Sequence, residues 1–504
     1  MSFKTYTLFF LFVISFTHII QAQSVGIGTT TPNASAALEV KSSSQGVLFP
    51  RLTTAQRKAI INPTVGLMVF DVEKNVFYYY SGFQWMALGA IQEKSIKPIE
   101  ITSNYNSLNQ FGFSAAMNAS YAAIGVPEYD TLTSSNIGAV LIFRKLNGIW
   151  ALHQRILAPD SASADQFGYS LDMSGDYMVV GTPYKKILTT TNCGKAYVYK
   201  LNLISGFYEI DAQLNNPAGL IDNTFFGWSV AVTHTSNITG KIAVAIGAPA
   251  EYNPSGSLRG TVSVFGRLAA NSYVNLNTIT GLSASEFFGL SIDLDSNLLV
   301  IGAPYYDTTI TTVKYAKCGR IQINSSNGSN YSTVDGRIIP NVDTNNIFGY
   351  QVKIDSNFIA LGSDAVNNNN AAGIYFYFRS APNSFFALSN FLNHRVDFES
   401  GVSTKPMGYS FAFSDKFFIV GVTHKTNYPF GSTYAINSTD YGLLYQRNAT
   451  VLSFYNQLKP IDESAKNTRF GYSVAAFGNN YMLTMPESIN ADGTRGAIVF
   501  GTFE

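Results

Sequence analysis

Phe111-Gly112-Phe113-Ser114 is the stretch that decides the fold, because its Phe-Gly pair returns along the chain at a nearly constant distance. The pair recurs at Phe167-Gly168, Phe226-Gly227, Phe288-Gly289, Phe348-Gly349 and Phe470-Gly471, and a further copy reads Met407-Gly408-Tyr409-Ser410. Successive glycines stand 56, 59, 62, 60, 59 and 63 residues apart. A period of this length holds one four-stranded sheet with its loops. A second landmark follows. Gly125, Gly181, Gly302, Gly362 and Gly421 each come 13 residues after their copy's first glycine, and Thr484 takes that place in the last copy. Only Gly247 breaks the spacing, 20 residues after Gly227. In most copies a proline stands two residues further on, as in Gly181-Thr182-Pro183 and Gly302-Ala303-Pro304. Alternating aromatic and aliphatic runs such as Gly194-Lys195-Ala196-Tyr197-Val198-Tyr199 come next. Each unit therefore reads as strand, turn, strand, proline-containing loop, strand and a fourth strand leading to the next Phe-Gly.

Working outward, the composition agrees. The chain has 41 Gly, 30 Tyr and 37 Phe in 504 residues. Aromatic side chains suit a half-buried pleated surface while glycine punctuates turns, so the fold class expected is all-β. Lys and Arg number 33 against 32 Asp and Glu, a formal net charge of +1. That balance excludes a general electrostatic attraction for nucleic acid or an anionic membrane. At the amino terminus, Met1 to Ala22 carries Lys4, an apolar run from Leu8 to Ile20 broken by Ser15, Thr17 and His18, and a small residue at Ala22. This is the layout of a secretory signal peptide, which predicts export, cleavage after Ala22 and a secreted or cell-surface location.

The repeated residues resemble the FG-GAP repeat, the unit of the integrin α-chain propeller and of many bacterial secreted proteins, over about residues 97–504. The resemblance implies a seven-bladed β-propeller. On that reading Phe fills the wedge between neighbouring sheets, Gly lets backbones approach, and Ser ties down a turn. A propeller closes by completing one sheet from both chain ends. Lys97-Pro98-Ile99 precedes the first Phe-Gly as Lys459-Pro460-Ile461 precedes the last, so Lys97 to Ser103 is expected beside Ala497 to Thr502. Some integrin-like copies hold calcium in an acidic loop between the two landmarks, where several oxygens converge on the ion. Most intervals here are too short for such a loop, and the longer insert, His234 to Lys241, has no carboxylate. The nearest approach is Asp293, Asp295 and Asn297, read as a solvated edge and turn. No metal or other cofactor is expected.

The region before the repeats runs from Val25-Gly26-Ile27-Gly28-Thr29 through Gly46 to Thr53 and Gly66 to Asp71, and ends in Tyr78-Tyr79-Tyr80-Ser81-Gly82-Phe83-Gln84-Trp85. It resembles a leader module of secreted and surface proteins of Bacteroidota. Either a β-rich spacer or a docking or oligomerising module fits this pattern, and a short helix capped by Thr53 or Thr54 is expected over Thr53 to Ile61. The domains expected are a signal peptide over 1–22, a β-rich module over 23–90 and the propeller over 91–504. Cys193 and Cys318 fall in corresponding places two repeats apart, too far to bridge, and are expected as separate buried thiols.

No catalytic constellation assembles from the sequence. His18, His153, His234, His394 and His424 are dispersed, and neither a Gly-x-Ser-x-Gly elbow nor a phosphate-cradling loop occurs. The function expected is binding or adhesion, with an extracellular protein or glycan as partner. A hydrolase of extracellular polymers, with carboxylates around the propeller channel, is the alternative. Binding groups are expected on the long loops Tyr305 to Tyr315, Val366 to Ala372 and His424 to Tyr441, where Tyr305, Tyr306, Tyr428 and Tyr434 offer flat faces to sugars or protein surfaces.

Overall fold

The structure, a computed structural model, describes residues 24–73, 76–80, 85–87, 94–96, 110–236, 242–251, 258–336, 344–355, 357–363, 373–380, 386–393, 410–422, 441–448, 451–458, 469–489 and 495–503. The expected signal peptide lies outside them. No described helix is long and apolar enough to cross a membrane. The chain divides into two units, residues 1–90 and 91–504.

In the first unit Val25–Ile27 pairs in parallel with Leu38–Val40, and Arg51–Leu52, Met68–Asp71, Val76–Tyr80 and Trp85–Ala87 form a separate four-stranded sheet. The expected helix forms over Thr54–Lys58, shorter than the sequence pattern, with Ala59 as its C-cap. Thr53 caps it. The Gln56 N–H donates to Thr53 Oγ1 at 3.2 Å and the Thr53 N–H donates to Gln56 Oε1 at 2.9 Å, so two otherwise orphaned donors are satisfied reciprocally. The helix delivers Arg57 to Asp71, Nε to Oδ2 at 3.0 Å, with the guanidinium 3.8 Å from the centre of the Tyr78 ring.

The second unit is all-β. Each copy of the motif gives one four-stranded antiparallel sheet, and the first strands are Ser114–Met117, Ser170–Ser174, Ser229–Thr233, Ser291–Asp295, Phe348–Asp355, Ser410–Phe413 and Val474–Phe477. Each first strand lies against the first strand of the following sheet, and that of the last sheet lies against that of the first. The second strands, such as Tyr121–Val126 and Leu298–Ala303, are buried along their whole length. This is why they read as unbroken apolar runs, whereas a fourth strand such as Tyr208–Leu214 mixes buried and exposed positions.

The core is divided into wedges between neighbouring sheets. One wedge packs Ala123, Val140 and Ile142 of the first sheet against Met178, Val180 and Tyr197 of the second. Another packs Phe111, Ile124 and Trp150 of the first sheet against Met482, Ile498 and Phe500 of the last. The motif phenylalanines Phe111, Phe167, Phe226, Phe288, Phe348 and Phe470 sit in these wedges at 0 to 1% exposure. Burying one such ring contributes about 2–3 kcal/mol.

The glycines permit the contact between sheets. A Cβ on Gly125 would overlap the carbonyl oxygen of Gly168, and the same collision would follow at Gly181 with Gly227, Gly247 with Gly289, Gly302 with Gly349 and Gly421 with Gly471. The last junction differs in chemistry. Thr484 replaces the glycine, and a Cβ on Gly112 would come 2.7 Å from Thr484 Cβ. The role expected for the motif serine is corrected. Ser114, Ser170, Ser229 and Ser291 do not tie down their own turns but donate to the carbonyl oxygens of Gly168, Gly227, Gly289 and Gly349, one repeat later, at 2.7 to 2.8 Å. The fifth copy has Gln351 at this position.

The closing strand is also corrected. Lys94–Ile96 pairs antiparallel with the last strand, Lys94 opposite Phe500, Ser95 opposite Val499 and Ile96 opposite Ile498. Lys97 to Ser103 lies outside the described residues. The expected notion of Asp293 as solvated fails too: it is buried, accepts from the Ile354 N–H at 2.7 Å and pairs with Lys353 Nζ at 2.8 Å. Its neighbouring sheet encloses it. Cys193 and Cys318 are free, buried thiols, donating to the carbonyls of Lys185 and Tyr306 at 3.3 and 3.2 Å.

Two outcomes follow from these junctions. Gly181→Ala should destabilise the second unit by about 2–4 kcal/mol, since both colliding groups are main-chain atoms or their close neighbours, and denaturant unfolding measures this directly. A chain beginning at Ile91 should melt several degrees above one beginning at Lys97, because only the first retains Lys94–Ile96; equal midpoints by circular dichroism would show that this strand contributes nothing.

Candidate functional site

The first strands of all the sheets line one cavity of about 250 Å³. Strand alternation repeats every two residues and the sheets repeat every sixty or so, so equivalent positions of successive copies form tiers around this space. The tier immediately after the motif glycine comprises Phe113, Tyr169, Trp228, Leu290, Tyr350 and Tyr472, with Tyr409 of the sixth copy outside the described residues. Neighbouring rings touch: Phe113 and Tyr169 have centroids 4.8 Å apart, Tyr169 and Trp228 4.9 Å, and Phe113 and Tyr472 5.4 Å. Their planes are tilted by 47°, 51° and 46°. Phe113, Tyr169, Trp228 and Tyr350 are half-buried and Leu290 and Tyr472 are buried, so the tier forms a largely aromatic collar around the cavity.

A second set of rings extends the collar outward. Tyr184, which follows the proline of its repeat, lies 5.8 Å from Tyr169 and 5.5 Å from Phe225. Phe225 in turn meets Trp228 at 5.9 Å. Phe225 belongs to a strained tier. The residue before the motif phenylalanine has positive φ in every described copy: Gln110 63°, Gln166 56°, Phe225 53°, Phe287 52°, Ile347 48° and Arg469 54°. Left-handed backbone at a phenylalanine or a β-branched isoleucine costs on the order of 1–3 kcal/mol and persists where surroundings enforce it, often at ligand sites. Burial and the neighbouring Tyr184, Tyr472 and Tyr350 hold the Tyr169 hydroxyl well above the usual tyrosine range. It is a neutral hydrogen-bonding group at any physiological pH.

Deeper in the channel, four residues after the motif glycine, the copies carry Ala116, Asp172, Ala231, Asp293, Lys353, Ala412 and Ala475. The alanines pack in the wedges between neighbouring sheets, and the other three copies carry charged side chains at this position. Asp293 Oδ1 pairs with Lys353 Nζ at 2.8 Å, while Asp172 Oδ2 accepts from the Val232 N–H at 2.7 Å. Burial pushes the Asp172 carboxyl up to about 6, against the pull of Lys353 and with Asp293 adding to the rise. Lys353, which burial would push down, is held up by Asp293 and Asp172. These groups therefore face one another across the channel. The sequence signal for them was the tier position itself, visible only when the copies are aligned on their glycines.

The sequence-expected residues divide. Tyr305 stands half-buried where Tyr184 stands in the second copy, at the same end of its sheet as the mouth, with its ring 5.3 Å from Phe287 and Lys317 Nζ 5.4 Å above it. Tyr306 is built into its loop. Its ring lies 5.1 Å from the Arg320 guanidinium, whose Nε is bonded to Glu286 Oε2 at 3.0 Å, and its carbonyl accepts from the Gly319 N–H. Tyr428 and Tyr434 lie outside the described residues. In the acidic turn that approached a calcium loop, the Lys353 ammonium pairs with Asp293 and Asp295 Oδ1 accepts from Ser296 Oγ.

Comparison with known proteins adds two regional likenesses. Residues 150–199, which run from the outer strand of the first sheet through the third strand of the second, match the FG-GAP repeat, and residues 26–104 match the phage tail like trimerisation region. No curated protein matches the chain. Solved structures similar to it include Sqt1 of Saccharomyces cerevisiae, at 11% identity and a TM-score of 0.40, covering 79% of this chain and 86% of that one. Another is a putative 6-phosphogluconolactonase from Bacteroides uniformis, at 8% identity and a TM-score of 0.43, covering 76% and 92%.

The channel charges generate a pH prediction. The Asp172 carboxyl titrates near 6 in the folded chain and near ~3.9 when unfolded. Its contribution to stability is therefore fully present below about pH 4 and is lost as pH rises through about 6. Thermal melts of the wild type should lose midpoint across that window, and Asp172→Asn should flatten the loss; parallel pH profiles would remove Asp172 from this role. The resemblance to the FG-GAP repeat, first read from the Phe-Gly copies, is thus carried by the family match at residues 150–199 and by the all-β sheets of the second unit.

Proposed function

We propose that this is an exported binding protein, with a signal peptide over 1–22, a display module over 23–90 and a closed seven-bladed β-propeller over 91–504 whose channel mouth holds an extracellular glycan. Seven equal blades turn successive upright rings by about 51°. The collar's tilts of 46° to 51° fit that geometry. The observation that carries the reading is the collar itself, where one residue from each of six copies lines a single cavity. A cavity of about 250 Å³ is smaller than the ~300–1,000 Å³ of drug-sized sites and suits a single sugar ring or the end of a chain. Flat aromatic faces stack on sugars, and Tyr169, Tyr184, Tyr350 and Tyr472 supply hydroxyls around them. Tyr305 extends the surface at the same end.

Hydrolysis of an extracellular polymer is the competing function. Asp172 and Asp293 do share the channel, but each accepts a backbone N–H from the next sheet, and Asp293 is paired with Lys353. Such commitments favour ring closure over acid–base chemistry.

Screening the purified chain against a glycan array, with surface proteins as a second panel, tests the proposal. The glycan retained should bind at least tenfold more weakly to Trp228→Ala and to Tyr169→Ala, whereas Ile204→Ser, at a hairpin tip where Ile204 is 98% exposed, should bind as the wild type does. Unchanged affinity in both collar variants would move the site off the mouth, and capture of proteins alone would exchange the glycan for a protein partner.

A further inference from the structure

Residues 24–87 carry an unfinished surface. Among their described apolar side chains only Val69 is fully buried, while Val25, Ile27, Leu38, Val40, Leu48 and Ile61 are exposed. What packing there is gathers on the four-stranded sheet, where Phe49 and Phe70 meet Phe77 at 5.5 and 5.0 Å and Arg57 lies beneath Tyr78. The parallel pair Val25–Ile27 and Leu38–Val40 forms a sheet of its own. Parallel strands occur almost only where both faces are covered, and a lone two-stranded ribbon is marginal in water.

One face of this ribbon is covered from within. Gly26 and Glu39 stand opposite each other on it. A Cβ on Gly26 would lie 2.6 Å from Thr29 O and 2.8 Å from Pro32 Cγ, and the Asn33 N–H donates to Glu39 Oε2 at 2.6 Å. The turn after the first strand thus closes that side. By strand alternation the other face carries Val25 opposite Leu38 and Ile27 opposite Val40, exposed by 57%, 57%, 56% and 39%. Four neighbouring apolar side chains with no charge among them lie open.

We propose that this face is where copies of the chain meet: three ribbons, one from each copy, pack Val25, Ile27, Leu38 and Val40 together around a common axis. The proposal rests on reading residues 26–104 as trimerising, and it assigns the contact that the match alone does not. A second copy is the occupant because the face is uncharged and so selects no oppositely charged partner, and because each identical ribbon needs the same cover. Closed cyclic symmetry supplies that cover to all three at once. Val25 and Ile27 are more than half exposed in the single copy, so replacing them disturbs little of that copy's own packing.

Sedimentation equilibrium of the exported chain, from Gln23 onward, tests this with the Val25→Asp/Ile27→Asp double variant beside the wild type. The wild type should have three times the chain mass and the double variant one, with the melting of the second unit unchanged. Ile61→Asp, at an 87% exposed position off the ribbon, should stay trimeric. As a second measurement, oxidised Ile27→Cys should run as covalently linked chains on a non-reducing gel. A monomeric or dimeric wild type would overturn the trimerising reading itself. A trimer that survives the double charge, or an uncrosslinked Ile27→Cys trimer, would overturn the ribbon contact while leaving trimerisation standing.

Discussion

Everything in the second unit depends on how closely one sheet can approach the next at its inner edge. At Gly125, Gly181, Gly247, Gly302 and Gly421 a single added carbon would overlap the carbonyl of the next copy's motif glycine. That proximity brings the motif serine within reach of the same carbonyl and seats the motif phenylalanine at the base of the wedge. Glycine here serves space as much as conformation. The motif glycines answer a different demand, positive φ, 95° at Gly112 and 87° at Gly168, a region that favours glycine.

Drawing the sheets together at their inner edges has a second effect, which is to set what the channel can contain. Tiers of equivalent residues face each other, and the chain varies them where the motif does not. At the deep tier four copies put an alanine into the wedge between sheets, while Asp172, Asp293 and Lys353 form an interacting set of charges. Removing Lys353 alone would leave two carboxylates in a confined space, the costly case for buried ions. The outer tier is aromatic in all its described copies but the fourth, which has Leu290, so the two depths of the same strand set differ in chemistry.

The first unit obeys the opposite economy. It has a capped helix, a buried Arg57–Asp71 pair and a few ring contacts, but little apolar interior of its own. A small module in that condition gains stability by association.

How much was legible in the sequence depended on the range of the interaction. The strand order within each copy and a short helix capped at Thr53 or Thr54 follow from residues near one another, and the motif phenylalanines were read as wedge fillers from their recurrence. Tyr184 and the tier of Asp172, Asp293 and Lys353 were in plain view but carried no local mark, since their meaning lies in the residues that the other copies place opposite them. Asp293 looked solvated because strand alternation says which way a side chain points and nothing about what the next sheet puts there. The closing strand was misplaced by a few residues for a related reason: the likeness of Lys97-Pro98-Ile99 to Lys459-Pro460-Ile461 is one of composition and carries no pairing register. By itself, then, the sequence determined the repeat, the all-β class and the small residues that allow close approach, because these depend on local sterics. Only the tertiary structure decided which strand closes the last sheet, where the motif serines send their hydrogen bonds and which rings share a mouth, because each of those joins residues that only the completed packing brings together.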